Sequence, residues 1–204
     1  MKKIPTKKKY IIDIIEIVLV YVAIIAYSVI FSMYSIKDDG FSLSIIAWQR
    51  GHLRESLNFI AMFGLFFVLN IWDLSNFYGI RHKRTVVILA SCGVGSLLVA
   101  MSIPFDGRVD RLHNIVALVA VVFTATSMGY FVYNLKSVSE KIFKKSKNIY
   151  IISICFSVGV SVIFNTLFFL QILLVCLMCG ELFGLSLSKD IKELRKLNGI
   201  SSDD

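Results

Sequence analysis

Long apolar runs alternate along this chain with short polar gaps, and Lys and Arg crowd into every second gap. A bilayer hydrocarbon core of roughly 30 Å takes about 20 apolar residues to cross as a helix. Six stretches meet that length, at residues 11–35, 56–76, 85–103, 114–135, 149–165 and 167–187. Hydrophobic residues fill 56% of the 204 positions and the mean hydropathy is +0.74, more apolar surface than a soluble domain of this size hides from water. The expected fold is all-α, a polytopic membrane protein with a six-transmembrane-helix bundle over residues 11–188. A basic N-terminal segment at 1–10 and a polar tail at 189–204 flank it. Around the junction of the last two runs only Asn165, Thr166 and Gln171 supply polarity. One helix of their combined length would be about twice what the membrane requires, so two spans joined by a tight turn are expected.

Basic residues set the orientation. One side collects Lys2, Lys3, Lys7, Lys8, Lys9, Arg81, Lys83, Arg84, Lys136, Lys141, Lys144, Lys145, Lys147, Lys189, Lys192, Arg195 and Lys196. The other holds Lys37, Arg50, Arg54, Arg108 and Arg111. By the positive-inside rule both termini are expected in the cytoplasm of a cell-membrane protein, and an odd number of spans would spoil the bias. The net charge of +8 then reports topology and contact with anionic lipid headgroups. It does not report nucleic-acid binding, since it is divided among short juxtamembrane segments. Trp48, Trp72, Tyr10, Tyr78 and Tyr150 fall where interfacial aromatic anchors are expected. The first apolar run lacks a small-residue cleavage pattern and is expected to stay as a helix.

All four cysteines lie in apolar runs, and the pair Cys176 and Cys179 has no second Cys or His pair nearby, so buried packing is expected of them. Ser91, Gly93, Gly95 and Ser96 make the third run narrow, with small residues spaced four apart that would let a neighbour approach and place this helix centrally. Asp13 and Glu16 are expected to be neutralised by the preceding lysines, and Asp73 by Arg81, Lys83 or Arg84. Glu181 lies deeper in the last run and is the intramembrane candidate for a functional acid.

The densest chemistry falls on the side with few basic residues. The loop before the second span carries Asp38, Arg50, His52 and Arg54, and the connection after the third carries Pro104, Asp106, Gly107, Asp110 and His113. Asp110 stands where it could cap the fourth span. His52 and His113 could converge with Asp106 or Asp110 to bind a metal ion, hold a polar headgroup or relay protons, or these groups could simply fasten the two loops together.

The stretches FSLSIIAWQRG and NFIAMFGLFF, then GSLLVAMSIPFDGRVDRLHNIVALVAVVF, resemble the six-helix bacterial and archaeal membrane family catalogued as domain of unknown function 998. The matching positions are Ser42, Ser44, Asn58, Gly64, Pro104, Asp106, His113 and Ala117. Near the last helix the chain departs, since Gly180 and Glu181 are followed by Leu182 and Phe183 rather than by a basic residue. The resemblance implies the fold and no particular reaction.

Three functions fit these residues. The first is a non-catalytic protein whose extracytoplasmic vestibule, built from Asp38, Arg50, His52, Arg54, Asp106, Asp110 and His113, binds a membrane lipid headgroup or small amphipathic ligand for sensing or protection. The second is a membrane-embedded metal-dependent hydrolase using His113, His52 and Asp106, with a serine or water in reach. The third is a haem protein with His52 and His113 as axial ligands. The expectation carried forward is the first. Transport is less favoured because no pair of broken helices recurs in the two halves.

Overall fold

The computed structural model describes residues 7–37, 42–105, 107–164 and 167–197. It is all-helical among these residues: α1 (Lys7–Lys37), α2 (Leu43–Trp48), α3 (Leu53–Phe77), α4 (Lys83–Ser102), α5 (Asp110–Asn134), a 3₁₀ turn (Leu135–Ser137), α6 (Glu140–Ile163) and α7 (Leu167–Leu197). Every α-helix but α2 is long and apolar enough to cross a membrane, which makes six candidate spans among the described residues. The physical reason is common to them: in hydrocarbon each backbone N–H and C=O must find its partner within the segment, and the α-helix provides that. Asp38 and Asp106 lie outside the described residues.

The bundle is organised around α3, the span with the largest buried share of its apolar window, 50% against 28% for α4. This corrects the expectation that the small-residue run is central. Phe59, Phe63 and Phe67 on α3 are almost fully buried with Phe31 of α1 and Phe131 of α5. The small residues of α4 serve one contact, and it is not the pair spacing read from sequence. Gly93 lies so close to α5 that a Cβ there would stand 2.5 Å from Thr124 Oγ1 and 2.8 Å from the Thr124 backbone nitrogen. Ser91, Cys92 and Gly95 are exposed. Ser127 Oγ then donates to Val86 O at 2.9 Å, locking α5 to α4 a second time.

Two helices run further than expected. Ser139 caps α6 by accepting the Ile142 N–H, so the helix starts at Glu140 and not near residue 149. Tyr150 is consequently about 15 Å along the helix, and its hydroxyl donates to Ala125 O of α5 at 2.9 Å. At the other extreme α7 continues through Leu197 and carries Lys189 and Asp190 as helical residues rather than as part of a tail. Outward faces remain apolar, with Leu19, Leu65, Leu118, Ile152 and Val162 more than half exposed, as expected for a surface that meets lipid tails.

Candidate functional site

The start of α1, the end of α3 and the end of α7 share one end of the bundle, here the terminal end. The opposite end holds α2 and the α4–α5 connection. α2 lies within what the sequence suggests is a plain loop. Ser42, in extended conformation, accepts the Ile45 N–H at 3.2 Å and starts the helix. Gly51, at φ 79°, supplies the left-handed residue that turns the chain into α3. Two tertiary bonds hold α2 down: Trp48 Nε1 donates to Met101 O of α4 at 3.1 Å, and Leu43 N donates to Gln171 Oε1 of α7 at 3.1 Å.

This placement puts the second residue of α2, Ser44, against His113 of α5. Ser44 Oγ and His113 Nε2 are 2.6 Å apart, and His113 Nδ1 is 3.0 Å from Ile103 O. The carbonyl can only accept, so Nδ1 carries the hydrogen, and in the neutral ring Nε2 is left to accept the serine hydroxyl. Phe105 packs edge-on against the imidazole, with ring centroids 5.0 Å apart. His113 is 1% and Ser44 7% exposed.

Both groups line a cavity of about 80 Å³ that reaches into the bundle. Phe59, Phe63, Met101, Ala117 and Val175 form much of its apolar wall, while Gln171 and Thr124 join Ser44 and His113 as its polar members. The Thr124 hydroxyl is spent on its own helix, donating to Ala120 O at 2.8 Å. Gln171 gives its oxygen to Leu43 N–H, which leaves its amide NH₂ as a donor group on a residue of the same cavity wall. Val121, also on the wall, is 38% exposed on the outer apolar face of α5, so the cavity borders the lipid side of the bundle.

The other described residues of the expected vestibule make contacts of their own or stand exposed. His52 immediately precedes α3 and stacks on Tyr34 of α1, centroids 4.0 Å apart and rings 10° from parallel. Its ring contact is with Tyr34 while that of His113 is with Phe105, so the two histidines serve separate attachments. Asp110 does not cap α5, whose flanking residue is Val109; its Oδ1 instead accepts Gly107 N–H at 2.9 Å and closes the turn. Arg50 and Arg54 are exposed at the α2–α3 junction. Ligating an iron or another metal through His113 would require giving up one of its two hydrogen bonds. Among the described residues no group of three or more His, Cys, Asp or Glu is placed to hold a metal ion.

The terminal end has a different chemistry. A groove of about 880 Å³ is lined by Asp13, Glu16, Asp73, Asp190 and Glu193, with Lys9 and Lys189 among them. Asp73 pairs with Lys189 of α7, not with the basic residues after α3. Lys83 instead donates to Asn76 Oδ1 at 2.7 Å. Lys189 also lies 3.1 Å from Asp190, whose side chain is 1% exposed. Tyr78, just beyond α3, is partly buried, and that burial pushes its phenol above the ordinary value while Lys189 pulls the other way. Deeper between α6 and α7, Glu181 is 6% exposed and hydrogen-bonds Ser146, leaving its Oε1 without a hydrogen-bond partner. Nearby on the α3–α7 contact, Ser186 Oγ donates to Asn70 Oδ1 at 2.7 Å.

Ser44 is the cavity residue that the reading of candidate site residues did not select. Its signals are its place among the positions of the resemblance and the FSLSIIAW segment, in which a helix-capping serine precedes an apolar run too short to span the membrane. Comparison of the chain with protein-family models, curated proteins and solved structures found no match in any of the three.

Proposed function

We propose that this protein is a multi-pass cell-membrane protein, both termini cytoplasmic, that binds one chain of a lipid or small amphiphile at its extracytoplasmic end. The observation that supports this reading is the apolar cavity whose lining also includes Ser44, His113 and Gln171. Ligand sites commonly combine an apolar lining with a few converging polar groups. At about 80 Å³ the cavity is well below the roughly 300 Å³ of a pocket that encloses a drug-sized ligand. It takes a segment of one acyl or alkyl chain, and the remainder of the ligand stays among the lipids beyond Val121. Arg50 and Arg54, exposed beside α2, suit an anionic headgroup at the surface. Sidedness rests on the crowding of Lys and Arg at the terminal end.

The test is native mass spectrometry of the purified protein titrated with dodecyl phosphate, on the parent chain and on Ala117→Leu, which fills the cavity from its wall. Binding weakened about tenfold or more in Ala117→Leu, with the thermal midpoint held or raised, supports the reading; unchanged binding in Ala117→Leu sinks it. Arg50→Ala with Arg54→Ala separates the headgroup contribution, which is expected to shrink as salt rises.

A further inference from the structure

We infer that Ser44 is a nucleophile and His113 its general base, and that the cavity acts on the carboxylic ester of a single-chain amphiphile. The inference rests on the proposed binding reading for the presence of an amphiphile and goes beyond it in assigning a reaction. Three observations carry it. The serine hydroxyl and imidazole are within proton-transfer distance, at 2.6 Å. The base is itself oriented, since the 3.0 Å bond to Ile103 O holds the hydrogen on Nδ1 and turns the Nε2 lone pair to Ser44. Both groups, with the amide of Gln171, line the same apolar cavity. A nucleophile hydrogen-bonded to a base that a third group orients is the arrangement by which serine hydroxyls are activated.

The reaction balances with water as the only co-reactant. As Ser44 Oγ bonds to the ester carbonyl carbon, its proton passes to His113 Nε2 and negative charge gathers on the carbonyl oxygen. The Gln171 NH₂ is the side-chain donor available to that oxyanion. Collapse breaks the bond to the alcohol, which leaves with the proton from Nε2, and Ser44 remains acylated. Water, deprotonated by Nε2, then repeats the addition and releases the carboxylic acid and the free serine. Throughout, Nδ1–H stays on the Ile103 carbonyl. That acceptor is neutral, so it orients the ring without the charge that a carboxylate would set against the imidazolium, and turnover is expected to be slow. The cavity volume selects one chain and disfavours the paired chains of a bilayer phospholipid.

The experiment is covalent labelling of the purified full chain with a long-chain alkyl fluorophosphonate, read by intact mass and peptide mapping. Attack by Oγ displaces fluoride from phosphorus, so the readout does not depend on knowing the natural ester. One adduct on Ser44 is expected, absent in Ser44→Ala and retained in Ser102→Ala, an exposed serine at the same end. His113→Gln should slow labelling about 100-fold or more. Gln171→Glu, which keeps the acceptor for Leu43 N–H and removes the amide donor, should slow it at least about tenfold. Each variant is first checked for helical content by circular dichroism and for dodecyl phosphate binding. No adduct on a folded parent chain that still binds dodecyl phosphate overturns the nucleophile and leaves the binding reading standing. Loss of that binding in Ala117→Leu together with full labelling of Ser44 in the parent would uphold both. Labelling of Ser44 at an equal rate in His113→Gln removes the base assignment and with it the inference.

Discussion

The two ends of the bundle solve the same problem, polar groups beside a hydrocarbon core, in opposite ways. At the α2 end the buried contacts are hydrogen bonds made without a carboxylate or an ammonium group: Ser44 to His113, His113 to Ile103, Trp48 to Met101 and Leu43 to Gln171. At the terminal end the groups are charged, and Lys189 is shared between Asp73 and Asp190. Neutral pairs need little solvent to exist and can close around a small dry cavity. Charged groups cost far more to bury, and the terminal groove is accordingly large and open to water. The difference makes the α2 end the better place for an apolar ligand and for chemistry that needs a defined proton position.

Substitutions at the two ends sharpen this contrast. The largest effect is expected from Lys189→Met, which leaves Asp190 buried without the ammonium it faces. Removing one partner of a buried pair costs about 3–5 kcal/mol, while Lys189→Met combined with Asp190→Leu should recover most of it. Thermal midpoints in detergent decide the matter, and a single variant as stable as the parent would show that Asp190 does not depend on Lys189. Next comes His113→Ala, which strands the Ser44 hydroxyl and the Ile103 carbonyl in a buried site and opens a void; about 3 kcal/mol should be lost. Chemical denaturation followed by circular dichroism measures it, and a loss below about 1 kcal/mol would mean that water replaces the ring. Trp48→Phe deletes only the bond to Met101 O and should cost about 1 kcal/mol. Its clearest sign would be faster hydrogen exchange in α2 than in α3, and equal rates would argue that Gln171 and His113 hold α2 without the Trp48 bond. Smallest of all, Lys144→Ala breaks an exposed pair with Glu140, 2.9 Å apart and about 70% exposed on both sides. Less than about 0.5 kcal/mol is expected, so a larger shift in midpoint would reveal a partner for Lys144 beyond Glu140.

The legible and illegible parts of the site divide along the same line. His113 was recognisable as a polar residue at the start of a span, but its expected companions, His52 and Asp110, are engaged elsewhere, with Tyr34 and Gly107. Its actual partner, Ser44, is 69 positions away in a six-residue helix. A run of that length carries too few periods to separate a helix from an apolar loop. Asp73 was expected to find a cation close in sequence, yet it meets Lys189 across 116 positions, because α7 extends past its apolar run and returns a lysine to the end of α3. Gln171 looked like the weak polar punctuation of a turn, and its amide oxygen is what ties α7 to α2.

By itself the sequence determined that the chain is helical, that it has six runs able to cross a membrane, and that its basic residues favour alternate connections. Those are questions of length and hydropathy along one dimension, answered by the thickness of hydrocarbon and the need of every backbone amide for a partner. Only the tertiary structure decided that α3 is the hub, that Gly93 brings α4 against the backbone of α5, and that Ser44, His113 and Gln171 share a cavity. Such pairings depend on the rotation and register of each helix against its neighbours, which packing sets among many arrangements of nearly equal apolar content.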